Sequence, residues 1–283
     1  FGLSHAPATY QSLMDLSLDG LHLSICFIHL DHVIIFSNSF EEHLDRLQKV
    51  LERIRQSGLK LSPKKCFFFQ EKVKYVGHVV SQVGIEADPD KTEKVRSWPT
   101  PTTPEQVRQF LGFAGYYRKF VKNFSKIAKP LLELMPAPKK SSKDKKWQWG
   151  DAEQRAFEEL KVALTSPPVL GYPDYQTPFE VHVDVSLAGL GAVLYQQQEG
   201  HKRVICYASR GLSRSEKHYS AFKLEFLALK WAITEKFHDY LYGNNFTVYT
   251  DNNPLTYILT TAKLDATGHR WLASLGNYHF DIV

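Results

Sequence analysis

Apolar positions along this chain recur with two different periods, and the changes of period divide it into elements. Residues 23 to 37 hold two β-branched, apolar runs around a polar break at Asp31-His32, which predicts a hairpin with an acid at its turn. Ser39 followed three residues on by Glu42 predicts a capped helix start. Phe40, Leu44, Leu47, Leu51 and Ile54 then repeat at helical spacing, and Gly58 supplies the stop. Residues 59 to 85 mix short apolar runs with turn residues and predict short strands. Thr103, Pro104 and Gln106 start another helix with Val107, Phe110, Leu111 and Ala114 as its buried stripe. A second helical segment is expected from Tyr116 to Leu134. Asp151 with Gln154 reads as a further capped start, with Ala156, Phe157, Leu160 and Leu164 facing inward.

Period-two patterning returns near Phe179. Phe179, Val181, Val183 and Val185 alternate with polar residues, so Asp184 falls on the polar side close to the strand's end. Gly189 and Gly191 allow a turn into a strand from Ala192 to Tyr195, and residues 203 to 208 read as another. A long helix is expected from Ser215 to Tyr240, burying Tyr219, Phe222, Phe226, Leu229 and Ile233. A strand over 246 to 250, a short helix over 267 to 276 and a last strand from His279 complete the pattern, with no internal repeat.

A length of 283 residues suits two compact units. Hydrophobic residues make up 43% and charged residues 23%, which argues against disorder throughout. No apolar run approaches the ~20 residues of a membrane span, and no signal peptide is visible. The first residue is Phe1, as expected of a fragment or a processed product. Cys26, Cys66 and Cys206 lie far apart and form no Cys-x-x-Cys pair, so reduced intracellular thiols are the expectation. The net charge of +5 is compatible with a polyanionic partner without requiring one. Residues 136 to 146, Pro-Ala-Pro-Lys-Lys-Ser-Ser-Lys-Asp-Lys-Lys, read as a flexible basic linker or exposed loop.

Three acids carry the candidate chemistry. Glu225 lies between Phe222 and Leu229 on the helical wheel, where a carboxylate is costly unless something compensates it. Asp251 follows a strand and precedes Asn252-Asn253-Pro254; alone it reads as a turn residue. With Asp184 the set can converge, and hydrolysis of a phosphodiester uses such a cluster to hold divalent ions. Hard oxygen donors suit Mg2+ or Mn2+.

The strand bearing Asp184, the run Tyr207-Ala-Ser-Arg-Gly-Leu-Ser213, the helix bearing Glu225 and the run Tyr249-Thr-Asp-Asn-Asn-Pro-Leu-Thr-Tyr257 resemble the ribonuclease H domain of gypsy-type long-terminal-repeat retrotransposons. The resemblance implies that Asp184, Glu225 and Asp251 are the catalytic, metal-binding acids. The family uses a fourth acid beyond the point where this chain stops; Asp281 lies in a different segment. Phe1 to Gln11 resemble a reverse transcriptase motif near the template, with Gln11 facing the substrate. The hairpin resembles the palm hairpin whose turn carries two aspartates after an aromatic and a spacer. Here it reads His29-Leu30-Asp31-His32, so Asp31 matches the first catalytic aspartate and His32 replaces the second. An imidazole is a poorer partner for magnesium and brings no negative charge. His32 is therefore read as a tolerated turn residue in a decayed element. Residues 58 to 66 and 75 to 81 resemble the primer grip, residues 98 to 103 and 109 to 120 the thumb, and residues 157 to 173 the tether. In the thumb, Tyr117, Arg118 and Lys119 suit a nucleic-acid backbone, although core packing explains the tyrosine equally well.

The resemblance implies an α+β and α/β multi-domain chain: a partial reverse transcriptase palm (1–88), a helical thumb (89–135), a basic linker and tether helix (136–173), and a ribonuclease H-like mixed sheet with flanking helices (174–283). The implied function is Mg2+- or Mn2+-dependent cleavage of the RNA strand of RNA–DNA hybrids. Polymerase activity is expected to be lost, because the family places a further palm aspartate and the fingers ahead of the Phe1 position. The competing reading is a catalytically inert relic that at most binds nucleic acid. Expected partners are an RNA–DNA hybrid or other nucleic acid, a second copy or other Pol-derived subunits, and no membrane. The expected location is intracellular, in cytoplasmic particles or the nucleus.

Overall fold

The structure is a computed structural model that describes residues 4–135, 147–251, 255 and 264–283. The basic run 136–146 and the Asn252-Asn253-Pro254 turn expected from sequence lie outside the described residues. The chain forms two compact units, Phe1–Gln82 and Val83–Val283. Among the described residues, no helix is long and apolar enough to cross a membrane.

The first unit comprises α1 (Ala6–Ser17), the antiparallel hairpin β1 (Cys26–His29) and β2 (His32–Ile35), α2 (Phe40–Gln56), and the hairpin β3 (Lys72–Tyr75) and β4 (His78–Ser81). His29 pairs with His32, so Leu30 and Asp31 form the two-residue turn, with Leu30 at φ +52°. The Ser39 cap is present: its hydroxyl accepts the Glu42 amide at 3.2 Å, and the Glu42 carboxylate accepts the Asn38 amide at 2.7 Å. The buried face of α2 differs from the sequence stripe. Phe40 and Leu44 are exposed at 59% and 45%, whereas Val50 and Ile54 are buried with Met14, Leu18, Cys26 and Ile28. Only the C-terminal half of α2 meets the core made by α1 and β1.

The second unit begins with β5 (Gly84–Ala87), α3 (Pro89–Arg96) and α4 (Pro104–Tyr116). Thr103 caps α4 as expected, and Val107, Phe110, Leu111 and Ala114 are all buried. The expected continuous segment from Tyr116 to Leu134 is broken. A 3-10 turn spans Arg118–Phe120, Asn123 takes the left-handed region at φ +57°, and α5 (Phe124–Glu133) starts after it. Next comes α6 (Asp151–Thr165), whose cap is Gly150 rather than Asp151, with Glu153 accepting the Gly150 amide. Gln154 instead takes the Trp149 indole N–H at 2.8 Å. Phe110, Phe157, Leu160, Leu131 and Ala128 form one core of this unit.

The second core lies under a five-stranded sheet of β6 (Phe179–Ser186), β7 (Gly189–Gln198), β8 (His201–Gly211), β9 (Asn245–Tyr249) and β10 (His279–Ile282), ordered β10-β9-β6-β7-β8. After β8 the chain differs from the single helix expected over 215 to 240. Glu216–His218 form a 3-10 turn, Tyr219 is extended, and the Ser220 hydroxyl caps α7 (Ala221–Trp231) by accepting the Lys223 amide. A π-helical stretch, Ala232–Lys236, and the short α8 (His238–Leu241) follow. The remaining elements are β9 (Asn245–Tyr249), α9 (Ala266–Leu275) and β10 (His279–Ile282), the last parallel to β9. Val181, Val183, Leu190 and Ala192 pack with Phe226, Leu229 and Ile233 on the face toward α7.

The β6–β7 turn leaves no room at Gly189. A Cβ there would lie 2.3 Å from the Arg210 carbonyl oxygen, which is backbone and cannot move alone. Gly112, inside α4, has open space around it. In urea unfolding, Gly189→Ala is expected to destabilise by about 1–3 kcal/mol, while Gly112→Ala stabilises by roughly 0.4–1 kcal/mol.

Candidate active site

Each of the three acids is placed by its element. Asp184 sits near the end of β6, paired with Gly191 of β7. Strand alternation puts it on the opposite side from Val183, which is buried toward α7. Glu225 lies in α7 between the buried Leu224 and Phe226. Asp251 follows β9 and is exposed, just after Thr250, whose amide donates to the Val283 carbonyl.

Glu225 carries the electrostatic signature of the site. Its Oε2 atom is buried and has no hydrogen-bond partner. Burial pushes its pKa up to about 7, and the neighbouring charges of Asp251 and then Asp184 add to the rise. The structure thus brings all three predicted acids within electrostatic reach of one another. It does not close them into a ligand set: among the described residues, no three His, Cys, Asp or Glu side chains are grouped so as to hold a metal ion. In donor chemistry the residues fit a hard divalent cation, because an orphaned carboxylate oxygen raised by two nearby carboxylates is what such an ion would compensate.

The face of the sheet that carries Asp184 also carries groups that sequence patterning did not single out. His182 stacks on Tyr249 with centroids 4.7 Å apart and meets Tyr195 edge-on. Lys202 lies over both tyrosine rings and pairs with Glu180. Burial holds the His182 pKa below its usual value, and Lys202 adds to the effect. Asn123 and Lys126, read from sequence only as part of a helix, line a crevice with Asp184, Gly191 and Ser209.

The remaining sequence candidates sit elsewhere. In the first unit Asp31 is exposed at the hairpin turn, and His32 Nδ1 lies 3.0 Å from its Oδ1. Gln11 does not point freely outward: its Oε1 accepts the Leu30 amide at 2.7 Å and its Nε2 donates to Asp15 at 2.8 Å. It therefore braces the turn that carries Asp31. In the second unit Tyr117 is only 2% exposed, and burial pushes its pKa up to about 12, so its ring is a core element rather than a stacking platform. Arg118 donates to the Ser209 carbonyl and lies over the Phe124 ring. Lys119 rests over the Phe120 ring, with its pKa lowered by burial.

Residues 1–80 match the family model described as reverse transcriptase (RNA-dependent DNA polymerase), and residues 149–248 match an RNase H-like domain found in reverse transcriptase. Over its full length the chain is 39% identical to the retrovirus-related Pol polyprotein from transposon 297 of Drosophila melanogaster, and 34% identical to that from transposon opus of the same species. It is 34% identical over 99% of its length to the polyprotein from transposon gypsy of Drosophila melanogaster. The chain spans 29%, 26% and 27% of the opus, 297 and gypsy polyproteins. Among solved structures, a foamy viral protease-reverse transcriptase in complex with double-stranded DNA aligns with a TM-score of 0.83 at 23% identity, over 98% of this chain and 48% of that one. Another, in complex with RNA/DNA hybrid, aligns at 0.80 and 22% identity over 100% of this chain and 38% of that one. At these identities the two structures show a shared fold of mixed sheets and helices.

The raised Glu225 pKa has a defined consequence. The folded state keeps a proton that the unfolded state gives up near 4.5, so stability falls as pH rises from about 4.5 to about 7 and stays reduced above that. Glu225→Gln removes the penalty. Without divalent cations, its melting temperature is expected to exceed that of the unaltered chain at pH 8 and to match it near pH 4.5. An equal offset at both pH values would contradict the assignment.

Proposed function

Because this chain belongs to the gypsy-type retrotransposon Pol family and carries its reverse transcriptase and ribonuclease H-like regions, we propose that its second unit cleaves the RNA strand of an RNA–DNA hybrid. The observation that carries this reading is the partnerless Glu225 oxygen beside two further carboxylates. Asp184, Glu225 and Asp251 would hold Mg2+ or Mn2+. Such ions, when bound, supply activation of the attacking water and neutralisation of the leaving oxygen. Burial, with the neighbouring Asp251 and Asp184, favours the protonated form of Glu225. Its burial beside Leu224 and Phe226 limits solvent around that group. Asp184, near the end of β6, and Asp251, after β9, are both exposed to an incoming strand.

For the first unit, the reading is that this hairpin does not polymerise. An imidazole stands 3.0 Å from Asp31 where the family has a second carboxylate, and it is the poorer ligand for magnesium. The inert-relic reading draws on the same His32 and on the lack, among the described residues, of three acids grouped to hold a metal ion.

Incubating the chain with Mg2+ or Mn2+ and an end-labelled RNA–DNA hybrid separates the two. Cleavage of the RNA strand is expected, with a loss of at least about 100-fold in Asp184→Asn, the scale on which single electrostatic groups act in catalysis. Binding without cleavage, indifferent to that substitution, would establish the relic.

A further inference from the structure

Helix α5 is fixed against β8, which lies two strands from β6 and its Asp184. The Ser125 amide of α5 donates to the Ser209 hydroxyl at 2.9 Å, and that hydroxyl donates to Ser125 Oγ at 3.2 Å. Arg118 adds a bond to the Ser209 carbonyl. Ser209 is in register with Gly191, and Gly191 with Asp184. A hydroxyl-mediated link from α5 to β8 therefore continues through the β8–β7–β6 register to the acid. The absence of a side chain at Gly191 belongs to this arrangement: a Cβ there would come within 3.1 Å of Asn123 Oδ1 and 3.9 Å of the Asp184 Cβ. Asn123 and Lys126 consequently line the same crevice as Asp184.

Lys126 is exposed, and among the described residues no carboxylate forms an ion pair with it. Asp184 shares its crevice without making one. A carboxylate cluster by itself repels a phosphodiester, so a nuclease site needs positive charge where the strand passes. Lysine is a compact point charge suited to phosphate oxygens. The neighbouring Ser125 anchor fixes the helix, so the ammonium is delivered from a held backbone rather than from a loop.

We propose that Lys126, positioned by the Ser125–Ser209 anchor, binds a phosphate of the nucleic-acid strand entering at Asp184. The helical segment before the sheet thus supplies a substrate-binding residue to the nuclease site. This rests on the ribonuclease H reading, and it adds a group outside the region that matches the RNase H-like family model, which begins at residue 149.

The test uses the full chain. Binding of a fluorescently labelled RNA–DNA hybrid is measured by anisotropy in EDTA over a salt series, and cleavage is measured with Mg2+. Lys94→Ala, in α3, serves as a comparison of equal charge change. Lys126→Ala is expected to flatten the slope of log affinity against log salt by roughly 0.7–0.9, the contribution of one phosphate contact. It is also expected to raise KM severalfold, with melting temperature unchanged and Lys126→Arg restoring most of the loss. If the unaltered chain binds and cleaves hybrid and Lys126→Ala matches Lys94→Ala in slope and KM, this assignment is wrong while the nuclease reading stands. If the unaltered chain shows neither binding nor cleavage, both fail.

Discussion

The second unit is organised around negative charge held in a place that penalises it. Glu225 sits in the helix whose other residues build the apolar core, with one oxygen cut off from any hydrogen bond and two carboxylates nearby. Nothing in α7 itself relieves that charge, since Lys223 and Lys230 pair with Asp265 and Glu235. A structure selected only for stability would place an apolar residue or an amide at this position. A bound cation reconciles the carboxylate with its surroundings. Under the proposed nuclease reading, that is the physical link between the fold, which buries α7 on the sheet, and phosphodiester cleavage.

Two features deliver the acids to that region. The β6–β7–β8 register sets Asp184 beside Gly191 and Ser209, and α5 is bonded to the same line through Ser125. Helices α3 to α6 are part of the same compact unit as the sheet. In the first unit, Gln11 ties α1 to the turn holding Asp31 and His32, so the hairpin keeps a defined shape.

Much of this was legible in the residues. Period-two alternation located β6 and Asp184, and the cap residues Ser39 and Thr103 marked true helix starts. The apolar stripes of α4 and α6 are buried as read. Elements failed where backbone conformation overrode periodicity. Asn123 in the left-handed region interrupts a pattern that otherwise continues through Tyr116 to Leu134. Ser220 starts α7 later than the apolar spacing from Ser215 implies, because its hydroxyl caps and Tyr219 stays extended. Tyr117 looked like a nucleic-acid contact by its neighbours' charge, yet its ring fills the helical core. Lys126 could not be found from sequence, since its significance depends on a register spanning three strands and a helix.

The account stands on a cation taking the place of a proton at Glu225. Calorimetric titration of the chain with Mn2+ at pH 7 in two buffers of different ionisation heat measures that exchange directly. Saturable binding with a buffer-dependent heat, reporting release of a substantial fraction of one proton and lost in Glu225→Gln, is the predicted result. Absence of binding, or binding with the same heat in both buffers, would contradict it.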